Sequence, residues 1–433
     1  MTTPPWRAST PREYLASLEP FGIKLGLDTI RAICGVLDDP HRAYQSLLIA
    51  GTNGKGSVAA FTDEALRAAG HRVGRYTSPH LIHLEERFHV GGVPVTAEAL
   101  DAAIDNVRSV VRRLQEEHRL DGHPTYFEVT TAAAFLLFRQ AHVEVAVLEV
   151  GLGGRFDATN VVMPVVSSIT SIAHDHEQHL GSTLSDIARE KAGIIKTGAP
   201  VVIGALPAEA RDVVAARCRE RGAPLIETGD SRVQAGVEDG ATVMRLVTPV
   251  RDYGPVRLAL RGDHQIQNAV VAVRLLETLD TAGLRVPAAA VRSGLDSARW
   301  PGRLDLRTLR DGRRVLVDGA HNPSGASALA KYIGREWPRG LPLVFGAMRD
   351  KDLAGMLTDL AALARPLVLT QAPGSRAASV TELAAAASAV GAAPVLEPDL
   401  DHALERAWSM DTTVVVAGSL YLAGAVLERI ERE

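Results

Sequence analysis

Short runs of β-branched and aliphatic residues alternate along the chain with alanine- and leucine-rich segments of helical period. Apolar runs of about four to eight residues bounded by turn formers read as strands, and a 3.6-residue apolar period reads as helix. In the first part of the chain this predicts strands at Ser46–Ala50, Val145–Val150, Val165–Ile172 and Pro200–Ile203. The predicted helices between them include Ser57–Ala69, Ala97–Glu117, Thr130–Gln140 and Thr183–Ile195. A second series begins near Val315, where VLVDGA, PLVFGA, PLVLTQA, APVLEP and TTVVVAG are strand-like and Ser324–Arg335 and Thr381–Val390 helical. Such alternation is the signature of α/β architecture with mostly parallel sheets. The Pro-Gly pair in Ala298-Arg-Trp-Pro-Gly-Arg303 interrupts any helix. It places the expected division between a domain at 1–298 and a smaller one at 299–433. The segment Gly229–Gly262 has no clean period and is expected to be irregular β.

Composition narrows the function classes without choosing among them. A chain of 433 residues, 46% hydrophobic and 23% charged, is long enough for two ordinary cores. The formal charge of -4 offers no basic field for nucleic acid or an anionic membrane. No apolar run approaches the roughly 18–20 residues of a membrane helix, and the N-terminus lacks a basic-then-apolar signal region. Two distant cysteines, Cys34 and Cys218, form no metal pair and suit a reducing compartment, so the expectation is a cytoplasmic protein.

Candidate chemistry begins at Ile49-Ala-Gly-Thr-Asn-Gly-Lys-Gly-Ser57. Compared with G-x-x-x-x-G-K-[ST], Ile49 stands where the first glycine belongs, and Gly56 separates Lys55 from Ser57. A strand ends before this stretch and a helix starts after it. At such a turn several N–H groups and the positive helix end converge, which favours phosphate oxygens. Gly54 and Gly56 let the main chain approach an anion, and Lys55 adds a point charge. Glu149 closes the strand EVAVLEV, where ligands bind in open α/β sheets, and suits Mg²⁺. The following Gly151-Leu-Gly153-Gly154 is no dinucleotide fingerprint, because Phe156 occupies the position of the third glycine. Histidines 174, 176 and 179 follow another strand, but without i, i+4 helical spacing or a nearby cysteine they do not form a zinc set. One of them assisting a second divalent ion is the more economical expectation, and Mn²⁺ also fits imidazole.

In order, GTNGKGS (51–57), YTSPHL (76–81), TYFE (125–128), LEVGLGGRFDATN (148–160), DH-x-x-x-LG (175–181), REKAGI (189–194), HQIQNA (264–269), PGR (301–303) and DGAHNP (318–323) span nearly the whole chain. The set resembles the folylpolyglutamate synthase and dihydrofolate synthase family, a branch of the Mur-ligase-like amide-forming enzymes. The resemblance implies an N-terminal P-loop ATPase-like domain and a C-terminal Rossmann-like α/β domain. It also implies that GKGS is the family's own phosphate loop, with Gly54, Lys55, Gly56 and Ser57 cradling ATP phosphates. Ser78 and Glu149 would bind one Mg²⁺ and His176 a second. Lys191 matches a lysine carried as a carbamate, while Asn268, Arg303 and Asp318 would contact the nucleotide. The pteroate-binding positions would be Lys24, Leu25 and Gly26, then Thr125, Tyr126, Phe127 and Glu128, then Phe156, Asp157 and Ala158.

The implied reaction is ATP-dependent addition of L-glutamate to reduced folate, to dihydropteroate, or to both, through an acyl phosphate, by a monomer with small-molecule partners. Lys55, Glu149, His176, Lys191 and His321 are the expected catalytic group, His321 for substrate contact or proton handling. Cell-wall precursor ligases of the same superfamily usually carry an extra N-terminal domain, and fewer residues precede Ile49 than such a domain needs.

Overall fold

The structure, a computed structural model, describes residues 9–19, 22, 24, 26–238 and 241–432. The first sheet contains β1 (Gln45–Ala50), β2 (Val73–Tyr76), β3 (Phe88–Val90), β4 (Val93–Pro94), β5 (Val145–Glu149), β6 (Val166–Ile169), β7 (Val201–Ile203) and β8 (Leu225–Glu227). Their order is β4-β3-β2-β5-β1-β6-β7-β8, parallel except for the β2-β3-β4 edge. Leu48 and Ala50 of β1 enter the core cluster on one face, and Leu47 and Ile49 enter the cluster on the other. Burial on both faces explains why this strand reads as a continuous apolar run rather than an alternation.

Local capping accounts for a four-residue shift in one predicted boundary. The helix expected at Thr130 begins at Tyr126, because Thr125 and Glu128 form a reciprocal capping box. The helix expected to reach Ile195 stops at Lys191 and tightens into a 3₁₀ turn at Ala192–Ile194. The stretch expected to be irregular β is a regular antiparallel sheet of β9 (Arg232–Glu238), β10 (Ala241–Val247) and β11 (Asp252–Leu258), in the order β11-β10-β9. Strand β9 is solvent-facing along almost its whole length, so it carries no apolar rhythm to detect. Buried Glu277 fastens the sheet to the helix Asp263–Thr281, accepting hydrogen bonds from the Thr248 and Tyr253 hydroxyls and pairing with Arg274.

After the helix Ala288–Ser297 comes the third sheet: β12 (Asp305–Thr308), β13 (Arg314–Val317), β14 (Leu341–Phe345), β15 (Ala364–Leu369), β16 (Val395–Leu396) and β17 (Thr413–Ala417). Its order is β12-β13-β17-β14-β15-β16, parallel except for β12. Helices Pro323–Glu336, Leu353–Leu360 and Val380–Ala389 cover one face, while Leu400–Trp408 and Leu420–Arg432 cover the other. The carboxyl ends of the central strands of both large sheets meet across one cavity. No helix among the described residues is long and apolar enough to cross a membrane.

Candidate active site

Neighbouring parallel strands β5, β1 and β6 end side by side at Glu149, Ala50 and Ile169. The chain leaving β1 is clamped to the chain leaving β6. The Thr52 N–H donates to the Ser171 carbonyl (2.8 Å), the Asn53 N–H to Ser171 Oγ (2.9 Å) and the Thr170 hydroxyl to the Asn53 carbonyl (2.6 Å). Gly54 then caps the helix Lys55–Ala68 with φ +86°. A Cβ there would lie 2.3 Å from Asn268 Oδ1, so the loop needs glycine both for its left-handed conformation and for the approach of Asn268. Gly56, the residue that breaks the Walker pattern, has another cause. A Cβ on it would stand 2.3 Å from the Trp300 indole, which the segment after the helix Ala288–Ser297 brings onto the first turn of the helix. The Arg75 guanidinium covers the same ring at 5.3 Å.

Lys55 Nζ donates to the carbonyls of Gly51 (3.0 Å) and Thr52 (3.2 Å) and stands 4.0 Å from Glu149 Oε1. Glu149 is 5% exposed and accepts a hydrogen bond from the Ser78 N–H at 3.2 Å. Burial pushes its carboxyl above the usual carboxylate range, against the pull of Lys55, that N–H and Arg303. Lys191, 4% exposed, also donates to the Gly51 carbonyl (3.1 Å). Burial, reinforced by Lys55, lowers its ammonium pKa to about 7. His176 is pushed down to about 4 by burial, helped by Lys351, Lys55 and Lys191 against the opposing Asp175, so its ring is neutral at pH 7.

From the opposite sheet, Asp318 follows β13 and accepts from the Leu304 N–H (2.8 Å) and the Ala320 N–H (2.9 Å). His321 Nδ1 lies 2.8 Å from the Gly319 carbonyl. Burial and the charge of Arg303 lower this histidine to about 4. All the residues expected for phosphate, metal and proton handling (Gly54, Lys55, Gly56, Ser57, Ser78, Glu149, His176, Lys191, Asn268, Arg303, Asp318 and His321) line this one cavity of about 380 Å³. A second cavity of about 620 Å³ opens behind Ser78, Pro79, Glu149 and Arg303, with Arg75 and Trp300 in its wall.

None of the described residues expected to bind pteroate lines the first cavity. Phe127 packs under Gly151, where a Cβ would be 2.7 Å from its ring. Thr125 and Glu128 are occupied with each other in the helix cap. Buried Asp157 accepts from the N–H groups of Gly151 (2.9 Å), Leu152 (3.0 Å) and Thr159 (3.0 Å), so it shapes the turn. Arg155 stacks on Phe156 at 4.7 Å, Ala158 is buried, and Tyr126 lies beneath Arg87. Lys24 is exposed, with Nζ 3.4 Å from the Thr29 hydroxyl, and Gly26 is partly exposed; Leu25 lies outside the described residues. Residues that sequence reasoning did not single out are Asn53, Asp175, Trp300, Asn322 and Lys351. Four of these sit inside or beside quoted motifs; Lys351 carries no motif signal.

Comparison with known proteins decides the family. The profile described as Mur ligase middle domain matches residues 49–276, and that described as Mur ligase, glutamate ligase domain matches 302–420. The dihydrofolate synthase/folylpolyglutamate synthase of Bacillus subtilis (strain 168) is 34% identical over 97% of this chain and 98% of its own. The chain belongs to the dihydrofolate synthase/folylpolyglutamate synthase family of Mur ligases. Two solved members of that family show how closely the Mur ligase fold is kept. The Mycobacterium tuberculosis folylpolyglutamate synthase complexed with ADP and AMPPCP superposes with a TM-score of 0.90 at 34% identity, over 96% of this chain and 97% of that one. E. coli FolC in complex with DHPP and ADP gives 0.85 at 32% identity, over 99% of both chains.

Proposed function

We propose that this Mur ligase uses ATP to join L-glutamate to pteroate-type acids, adding it both to reduced folates and to dihydropteroate, and that it works as a monomer. The observation that carries this reading is the convergence, on one cavity, of a phosphate-type helix start from one sheet and a cation, a carboxylate and a histidine from the other.

The chemistry needs two transfers. An oxygen of the acceptor carboxylate attacks the terminal phosphorus, the bridging P–O bond breaks and ADP leaves. The glutamate nitrogen then attacks the acyl carbon, phosphate departs with the C–O bonding pair, and the amine proton is released. The loop N–H groups, Lys55 and Arg303 would hold the phosphoryl oxygens throughout the first transfer. His321 is neutral at pH 7 and would accept the amine proton in the second.

Among the described residues no cluster of three or more His, Cys, Asp or Glu is arranged to hold an ion. Mg²⁺ does not require one, since it commonly takes one carboxylate with water and substrate phosphates. Glu149 fits that pattern: it is buried, with one N–H donor and an amine at 4.0 Å as its nearest described partners. Glu149 and Ser78 would hold one ion, and His176 with carbamylated Lys191 a second. The ions would neutralise charge on the phosphates.

Two experiments address this reading. Glutamate incorporation with ATP is to be measured separately with dihydropteroate and tetrahydrofolate; both are expected to be accepted, and one inert acceptor would make the enzyme monofunctional. Carbamylation needs a neutral amine, so carbon dioxide uptake by Lys191 should rise with pH through about 7. Turnover at limiting bicarbonate should therefore be higher at pH 8 than at pH 6, an advantage that Lys191→Met abolishes. Equal bicarbonate response in that variant would exclude the carbamate.

A further inference from the structure

Asp175 joins the two halves of the site. Its side chain is 8% exposed, and its two oxygens face different parts of the molecule. Oδ1 accepts from Lys351 Nζ at 2.6 Å and from the His176 N–H at 2.9 Å. Oδ2 accepts from Asn322 Nδ2 at 3.1 Å and lies 3.7 Å from His321 Nε2. Asn322 in turn exchanges two amide hydrogen bonds with Asn53 of the phosphate loop, at 3.0 and 3.3 Å, and caps the helix Pro323–Glu336 through the Gly325 N–H.

Lys351 and Asn322 belong to the six-stranded sheet's loops, whereas Asp175 and Asn53 belong to the first sheet's. The clamp from Thr52 and Asn53 to Thr170–Ala173 makes the Asp175 segment and the phosphate loop one unit. Lys351 is 11% exposed at its side chain, so its ion pair with Asp175 is largely shielded from solvent. Arg335–Asp263, another ion pair between the two halves, is open to water and therefore weakly held.

We propose that the Lys351–Asp175 pair is a closure clasp, a positioning pair that seats the second sheet's loops on the phosphate loop and fixes the His176 backbone. The proposal rests on the ligase reading above. Its function is to keep water from the acyl phosphate. In an unclasped enzyme, water attacks the acyl phosphate, regenerating the acceptor carboxylate and releasing inorganic phosphate, so ADP accumulates without amide.

The test compares full-length wild type with Lys351→Met, Lys351→Arg and Lys351→Met/Asp175→Asn, each first checked for wild-type thermal unfolding. ADP and amide are counted together at saturating ATP, tetrahydrofolate and glutamate. Small-angle scattering is recorded with and without a non-hydrolysable ATP analogue. Lys351→Met is expected to lower amide turnover by on the order of a hundredfold, as misplacement by about 1 Å does, with the KM for ATP unchanged and ADP exceeding amide. Its analogue-bound particle should stay more extended than wild type. Lys351→Arg should recover most of the coupling, and the double variant should be no worse than Lys351→Met, because partners in one contact are not additive.

One ADP per amide together with wild-type scattering in Lys351→Met would overturn the clasp. So would a defect confined to the KM for glutamate, which would make Lys351 a direct substrate contact. If wild type itself shows no folate-dependent ADP release, the ligase reading fails, while the scattering comparison still judges the clasp.

Discussion

Arg303→Ala is expected to reduce turnover by roughly 10²–10³-fold, the usual loss when one preorganised donor to developing charge is removed, while ATP affinity falls far less. The residue follows Gly302, whose φ of +68° turns the chain back toward the site. Its guanidinium lies against Gly319, where an added Cβ would stand 2.2 Å from Nη1. From there its charge acts on Glu149, Asp318 and His321. Arg303 thus stands at the seam between the sheets, and in the proposed reaction its interaction would grow as negative charge shifts during phosphoryl transfer. Steady-state rates at saturating substrates, paired with nucleotide titration, separate the two effects. Arg303→Lys keeps a point charge but loses the planar fork, so an intermediate rate is expected. Full turnover in the alanine variant would remove the arginine from the mechanism.

Gly56→Ala is expected to cost about 1–3 kcal/mol of stability, the range for overpacking a filled site, and to weaken nucleotide binding. The added methyl would meet the Trp300 indole at 2.3 Å, and that ring is backed by Arg75, which pairs at 2.9 Å with Asp63, 1% exposed. The indole therefore has little freedom to retreat. Thermal unfolding and nucleotide titration measure the loss, and Trp300→Leu in the same chain should recover part of it by opening space. Wild-type stability and affinity in Gly56→Ala alone would show that the Trp300 segment is free to lift from the loop, contrary to the packing.

The expected residues that line the first cavity were legible in the sequence because they lie in short stretches whose chemistry is local. A loop between strand and helix, a carboxylate ending an apolar strand and a histidine in DGAHNP each announce themselves within a few positions. The partners that fasten them are spread across the chain. Lys351 meets Asp175 from 176 residues away, and Asn322 meets Asn53 from 269. No periodicity or spacing encodes such pairs; they exist only once two sheets face each other. Strand interiors were legible for a similar reason, since burial on both faces leaves an unbroken apolar run. β9 was not, because neither of its faces is covered along most of its length. Of the residues expected to hold pteroate, Thr125 and Glu128 bond each other in a helix cap, and Asp157 accepts from the Gly151 N–H in the Gly151–Gly154 turn.

Arg303 and Glu149 stand in the partition between the two cavities and line both. An anion entering either chamber draws on the same guanidinium and alters the field felt in the other. Thermodynamic reciprocity then requires that whatever factor the nucleotide applies to the affinity of a ligand in the larger chamber, that ligand returns to the nucleotide.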